Sequence, residues 1–376
     1  MSVPNPMPGQ ARQRAFLPIN ASRKRPDVSP KRTGEIGRKS MTAAITRRHA
    51  FLAALTLSAA AVLSIGTIPV ASSQNFEKIR IGAPFGAVPG IKTAIEEGIF
   101  EREGIEIEIV TLAGGPNILA ATVGGSLEIG YADLFAWIGA RENGFDLTFL
   151  QAANGRGNSD YIIASANSGI EKPADLAGKK IGTAAHAQSR LRVRLYLERF
   201  GVDPDSVEYV IINQRETVGA ALASGQIDAS IASDPHVAQW EQQYGVKILE
   251  GRPWEQIPER TSTAGYFATT AWIDANPDLA ERFVKAAREG SSIYNAYTAE
   301  RKAGISLKYD DIDLFELEKQ VPGVIERLND VNAAQSGPAD LGAIREWLEI
   351  AHAKGVINQV IDVEPLLYKT ATAPSL

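Results

Sequence analysis

The sequence predicts an α/β protein with two lobes, each built on a mixed, mainly parallel sheet with helices on both faces, and a cleft between the lobes. From Lys78 to Leu249, short apolar strands alternate with helices of about ten residues, the pattern of parallel βαβ units. After Arg260 one strand is followed almost entirely by helices, which indicates a chain that returns to its first lobe. Ligands of such sheets lie at the carboxyl ends of the strands.

The first block of the chain begins with alternating apolar and polar residues, most strictly in IEIEIVTL at Ile105–Leu112. The glycine-rich turn Gly114–Asn117 opens one of its helices. The predicted strands are Lys78–Pro84, Ile105–Leu112, Leu127–Asp133, Leu147–Asn154 and Tyr161–Ser165, and the other predicted helices are Ile91–Phe100 and Phe135–Asn143.

The second block repeats the strand–helix alternation, and we expect the two lobes to divide as 77–168, 169–260 and a return segment over 261–370. Gly355 is typical of the residue that ends a helix. The predicted strands are Lys180–Thr183, Glu208–Ile212, Asp228–Ala232, Lys247–Leu249 and Ala264–Thr269. The predicted helices are Gln188–Phe200, Glu216–Ser224, His236–Tyr244, one from Pro277, Asp311–Lys319 and Leu341–Lys354.

The N-terminus carries an export signal behind a basic prefix. Residues 1–40 are charged and proline-rich, which predicts disorder, and Met41 is a plausible true start. Residues 41–73 combine Arg47–Arg48, an apolar run and small residues before a cleavage site near Ser73–Gln74. The paired arginines favour Tat export and Sec export is the alternative, with an uncleaved membrane anchor as a third.

Composition excludes several functions. The net charge of −5 argues against a nucleic-acid partner. Because the chain has no cysteine, it has no disulfides, thiolate nucleophiles or cysteine-ligated metals. The histidines after the signal have no metal-pair spacing, and GxSxG, HExxH and P-loop motifs are absent. We therefore expect no catalytic residue, no cofactor and no metal site.

Several motifs resemble one protein family. DLAGKKIG at Asp175–Gly182, ALASGQIDASIASDP at Ala221–Pro235, GGSLEIGYAD at Gly124–Asp133 and GNSDYIIAS are similar to segments of periplasmic substrate-binding proteins of ABC importers for nitrate, sulfonates and taurine. The resemblance covers about Lys78–Leu367. It implies a type II periplasmic binding fold, and a soluble monomer that delivers a small organic anion to an ABC permease with a cytoplasmic ATPase.

Three strand-to-helix turns are candidate ligand sites, because free N–H groups at a helix start favour an anion. Each has an ordinary alternative: a tight turn for the first, a solvated loop histidine in the second, and a helix cap for the third. In the second turn, Ala184 and Ala185 stand where the family often has hydroxyl residues. The candidate residues are Gly115 and Asn117, then Ala184, His186, Gln188 and Ser189, then Asp234.

Other candidates flank the strand ends. Asp133 could receive an amine of the ligand or cap the next helix, and Arg156 could pair with an anion or lie exposed in its loop. Phe85 and Asn154 complete the predicted site. Helical spacing puts Arg190 and Arg194 on one face and points Arg192 elsewhere; we interpret them as a solvated, partly paired face, with Arg190 nearest the site.

The main hypothesis is a binding protein that forms no bonds with its ligand. One alternative is a binding protein for a heteroaromatic ligand such as a thiamine pyrimidine precursor. Another is an enzyme of the same fold, although the relatives that make this pyrimidine use an iron site and a cysteine-rich motif. A sensor that presents its ligand to a receptor would use the same cleft.

Overall fold

Two five-stranded sheets form the framework of the protein in a computed structural model, which describes residues 76–155, 160–212, 214–328, 334–369 and 371. These residues fall within one compact unit, Pro69–Leu376. The predicted prefix, the export signal and Arg156 lie outside the described residues. The strands are β1 (Glu77–Ala83), β2 (Ile105–Thr111), β3 (Ile129–Asp133), β4 (Leu147–Asn154), β5 (Asp160–Ala164), β6 (Lys180–Thr183), β7 (Glu208–Ile211), β8 (Ala229–Ser233), β9 (Lys247–Ile248) and β10 (Ala264–Thr269).

The two sheets have the same topology. Their strand orders are β2-β1-β3-β10-β4 and β7-β6-β8-β5-β9. In the first sheet β10 is antiparallel to both neighbours, and in the second β5 has that role. Each antiparallel strand is the first one after the chain has crossed from the other sheet. This arrangement confirms the predicted two-lobed fold with mixed, mainly parallel sheets.

The strand predicted at Tyr161–Ser165 does not belong to the first block, so that part of the prediction is wrong. β5 pairs with β8, with Ile162 opposite Ile231, and with β9, with Ile163 opposite Ile248. The chain therefore crosses to the second lobe before Asp160. The apolar pattern of the strand indicates which of its side chains are buried, but it does not indicate which sheet the strand joins.

Helices cover both faces of the sheets. The helix predicted at Ile91–Phe100 is two helices, because Gly98 between them has a positive φ of 64°. The helix Ala299–Asp310 was not predicted. Among the described residues, no helix combines the length and apolar character needed to cross a membrane. The helices are α1 (Pro89–Glu96), α2 (Ile99–Arg102), α3 (Gly115–Val123), α4 (Leu134–Glu142), α5 (Ala187–Arg199), α6 (Val218–Ala223), α7 (His236–Tyr244), α8 (Thr270–Ala275), α9 (Pro277–Ala296), α10 (Ala299–Asp310), α11 (Leu314–Gln320) and α12 (Leu341–Ala353).

Each lobe has its own apolar core. In the first lobe, Trp137, Phe149 and Phe267 are fully buried, and their ring centroids lie 5.2–5.8 Å apart. In the second lobe, one cluster around Tyr196 and another around Trp240 lie on opposite sides of the sheet. Burial of these large side chains fixes the sheets and so the positions of the loops at their strand ends.

Residues 298–328, which we call the C-terminal strap, contact both lobes. On the first lobe, the buried Lys92 of α1 pairs with Asp310 of α10, with Nζ–Oδ distances of 2.6 and 2.8 Å. On the second lobe, Ala238 of α7 packs in one apolar cluster with strap residues of α10 and α11. Arg327 pairs with Glu241 of α7 at 2.7 Å. The strap thus connects the lobes in addition to the two places where the main chain crosses between them.

Helix α5 makes a second contact between the lobes. Leu191 and Leu195 of α5 are buried in the core cluster of the first lobe. Near the end of the same helix, the carboxylate of Glu198 accepts a hydrogen bond of 2.7 Å from Nζ of Lys354, which follows α12. One face of α5, which belongs to the second lobe, is therefore turned toward the first.

Candidate ligand-binding site

The start of α5 contains four of the predicted site residues, and the sequence explains their local arrangement. β6 ends at Thr183, and His186 caps α5 by accepting the N–H of Ser189 on its ring Nδ1 at 3.3 Å. The hydroxyl Oγ of Ser189 accepts the N–H of Ala184 at 3.3 Å. Ser189 and Ala184 are thus used to close the loop, and the first N–H groups of the helix, those of Ala187 and Gln188, remain without intrahelical partners.

Gln188 has an unusual environment for an amide side chain. Only 6% of the residue is exposed, and its oxygen Oε1 has no hydrogen-bond partner among the described residues. A buried polar atom without a partner costs about 1–3 kcal/mol. Gln188 lies one turn before Leu191 and Arg192, on the face of α5 that meets the first lobe. Because an amide oxygen only accepts hydrogen bonds, the missing partner is a donor, such as an N–H or ammonium group of a ligand held between the lobes.

The ring of His186 is neutral near pH 7. Burial lowers its pKa, and the positive charges of Arg192 and Arg215 act in the same direction. The carboxylates of Asp133 and Asp160 oppose the shift. Because Nδ1 of the neutral ring accepts a hydrogen bond, Nε2 carries the proton and can donate it to a ligand. Asp133 ends β3 of the first lobe and His186 follows β6 of the second, so charges of both lobes act on the pKa of this ring.

Asp133 is a helix cap with one oxygen to spare. Its Oδ1 accepts the N–H groups of Phe135 and Ala136 at 3.0 and 3.1 Å. Its Oδ2 lies beside the start of α3, where a Cβ atom added to Gly115 would be 3.5 Å away. Asn117 uses its amide nitrogen on the carbonyl of Ala113 at 2.8 Å. The carboxylate of Asp133 thus already lies at the start of α3, so the start of α5 is the better place for an anion.

The remaining first-lobe candidates lie at the same edge. Asn154, at the end of β4, donates its amide to the hydroxyl of Tyr131 at 2.9 Å. Burial raises the pKa of Tyr131 far above its ordinary value, so the phenol stays protonated. Phe85 follows β1 and is 50% exposed, an unusual state for a phenylalanine. These groups provide a polar contact and an exposed ring beside the cleft.

Arg190, Arg192 and Arg194 of α5 each contact a partner within the second lobe. Arg192 forms an ion pair with Asp160, the first residue of β5. Arg190 stacks on the ring of Tyr209 at 4.7 Å, and Arg194 pairs with Asp205 at 2.7 Å. Arg190 and Arg194 contact residues of one neighbouring stretch of chain, Tyr209 and Asp205, in agreement with the expectation that they share a face.

One oxygen of the Asp234 carboxylate, Oδ1, has contacts inside the protein, whereas Oδ2 is buried without a hydrogen-bond partner among the described residues. Its Oδ1 accepts the N–H of Ala238 at 3.2 Å and lies 3.3 Å from Nη1 of Arg327 in the strap. Burial raises its pKa, and the charge of Arg327 counteracts part of that shift. The geometry supports the alternative in which Asp234 caps α7.

Two charged residues that act on His186, Asp160 and Arg215, were not among the candidates predicted from the sequence. Asp160 stands alone in a loop pattern, and Arg215 follows β7 without any motif around it, so neither gave a signal. Within the described ranges, no group of three His, Asp or Glu side chains is arranged to hold a metal ion.

The fold and this strand-edge site define the class of two-lobed periplasmic binding proteins. The alkanesulfonate-binding protein SsuA from Xanthomonas axonopodis pv. citri, solved bound to MOPS, superposes with a TM-score of 0.61 at 18% identity, over 77% of this chain and 98% of that one. The chain belongs to the NMT1/THI5-like family, whose profile matches residues 88–299.

Relatives of known sequence include both binding proteins and an enzyme. A protein of Escherichia coli (strain K12), provisionally named an aliphatic sulfonates-binding protein, is 26% identical over 76% of this chain and 90% of its own length. The 4-amino-5-hydroxymethyl-2-methylpyrimidine phosphate synthase of Schizosaccharomyces pombe is 23% identical over 50% of this chain and 56% of its own length. The predicted resemblance to sulfonate-binding proteins is thereby confirmed.

Proposed function

We propose that this protein is the extracytoplasmic substrate-binding component of an ABC importer and captures a small organic anion between its lobes. In this proposal it is exported through the segment 41–73, acts as a soluble periplasmic monomer, and delivers its ligand to a permease with a cytoplasmic ATPase. It makes and breaks no bonds. The family membership and the sulfonate-binding relatives support the class of function.

The observation that carries the proposal is the set of hydrogen-bond donors at the start of α5. The N–H groups of Ala187 and Gln188 have no intrahelical partner, and His186, whose Nδ1 accepts the N–H of Ser189, can donate from Nε2. A sulfonate or similar group placed there would accept hydrogen bonds from these donors and experience the positive end of the helix.

The free oxygen of Asp133 favours a ligand that carries an amine as well as an anion. Oδ2 makes neither of the two capping bonds and lies at the strand edge of the first lobe. An aminosulfonate such as taurine would place its ammonium there and its sulfonate at α5. We expect taurine to bind more tightly than ethanesulfonate, and Asp133→Asn to remove that preference.

The test is a thermal-shift and calorimetric screen with ethanesulfonate, taurine, nitrate and a neutral aminopyrimidine. A ligand present at about 100 times its Kd should stabilise the fold by about 2.7 kcal/mol. Gln188→Glu, which places a negative charge at the start of α5, should weaken sulfonate binding at least about tenfold. Gln242→Glu, the same change at an exposed position of α7, is the matched control and should leave the Kd unchanged.

The outcomes separate the hypotheses. If sulfonates fail to bind the wild type and the aminopyrimidine binds, the heteroaromatic alternative replaces the anion. If none of the four compounds binds, the proposal of an importer component for such ligands is refuted. Stoichiometric iron together with conversion of a bound compound would instead favour an enzyme.

A further inference from the structure

Arg215 lies at the carboxyl edge of the second sheet, beside the loop that begins α5. β7 is parallel to β6, and the N–H of Ile212 at the end of β7 donates to the carbonyl of Thr183 at 2.9 Å. The two loops therefore leave the sheet side by side. Arg215 opens the single helical turn Arg215–Thr217 in the second of these loops.

Arg215 also differs from the other described arginines of the second lobe. It is exposed, and no described carboxylate or aromatic ring lies within ion-pair or stacking distance of its guanidinium. The others each have such a partner: Arg190 with Tyr209, Arg192 with Asp160, Arg194 with Asp205, Arg199 with Glu255, Arg252 with Tyr161 and Arg260 with Asp340. Arg215 is thus a cation at the site edge that the protein itself leaves uncompensated.

The charge of Arg215 reaches residues of both lobes. Burial is the main cause of the lowered pKa of His186 and of His236; Arg215 is the next cause for His236 and a smaller one than Arg192 for His186. It also acts on Tyr131 of the first lobe. This agrees with the placement given by the strands, in which Arg215 lies at the cleft and not on the outer surface of the lobe.

We propose that Arg215 is a ligand-binding residue that pairs with the anionic group of the substrate and selects charged over neutral ligands. The inference rests on the proposed function and deepens it. The backbone N–H groups of Ala187 and Gln188 at the start of α5 would fix the orientation of the anion, whereas Arg215 supplies the full positive charge that the neutral His186 does not. Because the side chain is exposed, its attraction is strongly screened by salt.

The experiment compares Arg215→Gln, Arg215→Lys and the control Arg190→Gln by calorimetry with ethanesulfonate and taurine. We expect Arg215→Gln to weaken binding at least about tenfold in about 20 mM salt and to flatten the loss of affinity between about 20 and 200 mM salt. Arg215→Lys keeps the charge and should recover most of the affinity. Arg190→Gln should stay within about twofold of the wild type, because the guanidinium of Arg190 already stacks on the ring of Tyr209.

A Kd and a salt dependence of Arg215→Gln equal to those of the wild type would overturn the assignment of Arg215 while leaving the proposed function intact. Equal losses in Arg215→Gln and Arg215→Lys would also overturn it, since the effect would then not follow the charge. If the wild type binds neither sulfonate, the proposed function for these ligands fails first, and the role of Arg215 falls with it.

Discussion

One added methyl group at Gly290 should be strongly destabilising, because α9 packs there directly on the backbone of α1. A Cβ atom at Gly290 would lie 2.3 Å from the carbonyl oxygen of Gly90 and 2.9 Å from the amide nitrogen of Ala94. It would also lie 2.6 Å from the Cβ of Ala94. Backbone atoms cannot rotate away as a side chain can, so the helices would have to separate.

The expected magnitude follows from two opposing effects. Alanine gains about 1 kcal/mol over glycine within a helix, and overpacking costs about 1–3 kcal/mol. Because the clash is with backbone, we expect the cost to dominate and Gly290→Ala to lower the free energy of unfolding by about 2 kcal/mol. Urea denaturation followed by circular dichroism measures this difference directly.

Gly304 provides a matched control in α10. It is also helical, and a Cβ atom there would meet nothing within 4 Å. Gly304→Ala should therefore raise the free energy of unfolding by up to about 1 kcal/mol. If Gly290→Ala proved as stable as the wild type while Gly304→Ala behaved as expected, the close approach of α1 and α9 would not constrain the fold, and the reasoning would be refuted.

Three further predictions concern charged groups. Lys92→Met leaves Asp310 buried without its partner and should lower the free energy of unfolding in urea by about 3–5 kcal/mol. The double variant Lys92→Met with Asp310→Leu should recover most of that loss. If the losses of the two substitutions were instead additive, the buried pair would be contradicted. Lys354→Ala breaks a half-buried pair with Glu198 and should cost under about 1 kcal/mol in the same assay; a larger loss would show that this pair does more to hold the lobes together. Burial lowers the pKa of His186 below its unfolded value of about 6.5, so the stability contributed by the neutral ring is complete above about pH 6.5 and is lost as pH falls toward the folded-state pKa. His186→Gln should flatten this part of the profile of unfolding free energy against pH. An unchanged profile would show that His186 does not contribute to it.

The regular elements could largely be predicted from sequence, since strands such as β6 and β10 and the helix α7 have the predicted bounds. The sheet that β5 joins could not be predicted, because its partner Ile231 lies far along the chain from Ile162 and any lobe could bury the same apolar pattern. The helix α10 escaped notice because much of it is polar, with its burial concentrated at a few positions such as Ala303.

The candidate site shows the same division. Its position could be predicted, because free helix starts and strand ends follow from the order of elements. The use of each side chain could not. Three uses depend on contacts in the folded protein: Ser189 closes its own loop, Asp234 pairs with Arg327, and Arg192 pairs with Asp160. Helical spacing separated Arg192 from its neighbours but left open which face met the first lobe.

The C-terminal strap has a consequence for measured affinity. A ligand held between two lobes binds only those molecules whose lobes are correctly placed, and the apparent Kd rises as that fraction falls. Because the strap is fixed to α1 through Asp310 and to α7 through Arg327, we expect its contacts to help set that fraction. Substitutions in the strap would then change affinity without touching a ligand contact, so this protein could be tuned to the abundance of its substrate while its specificity stays the same.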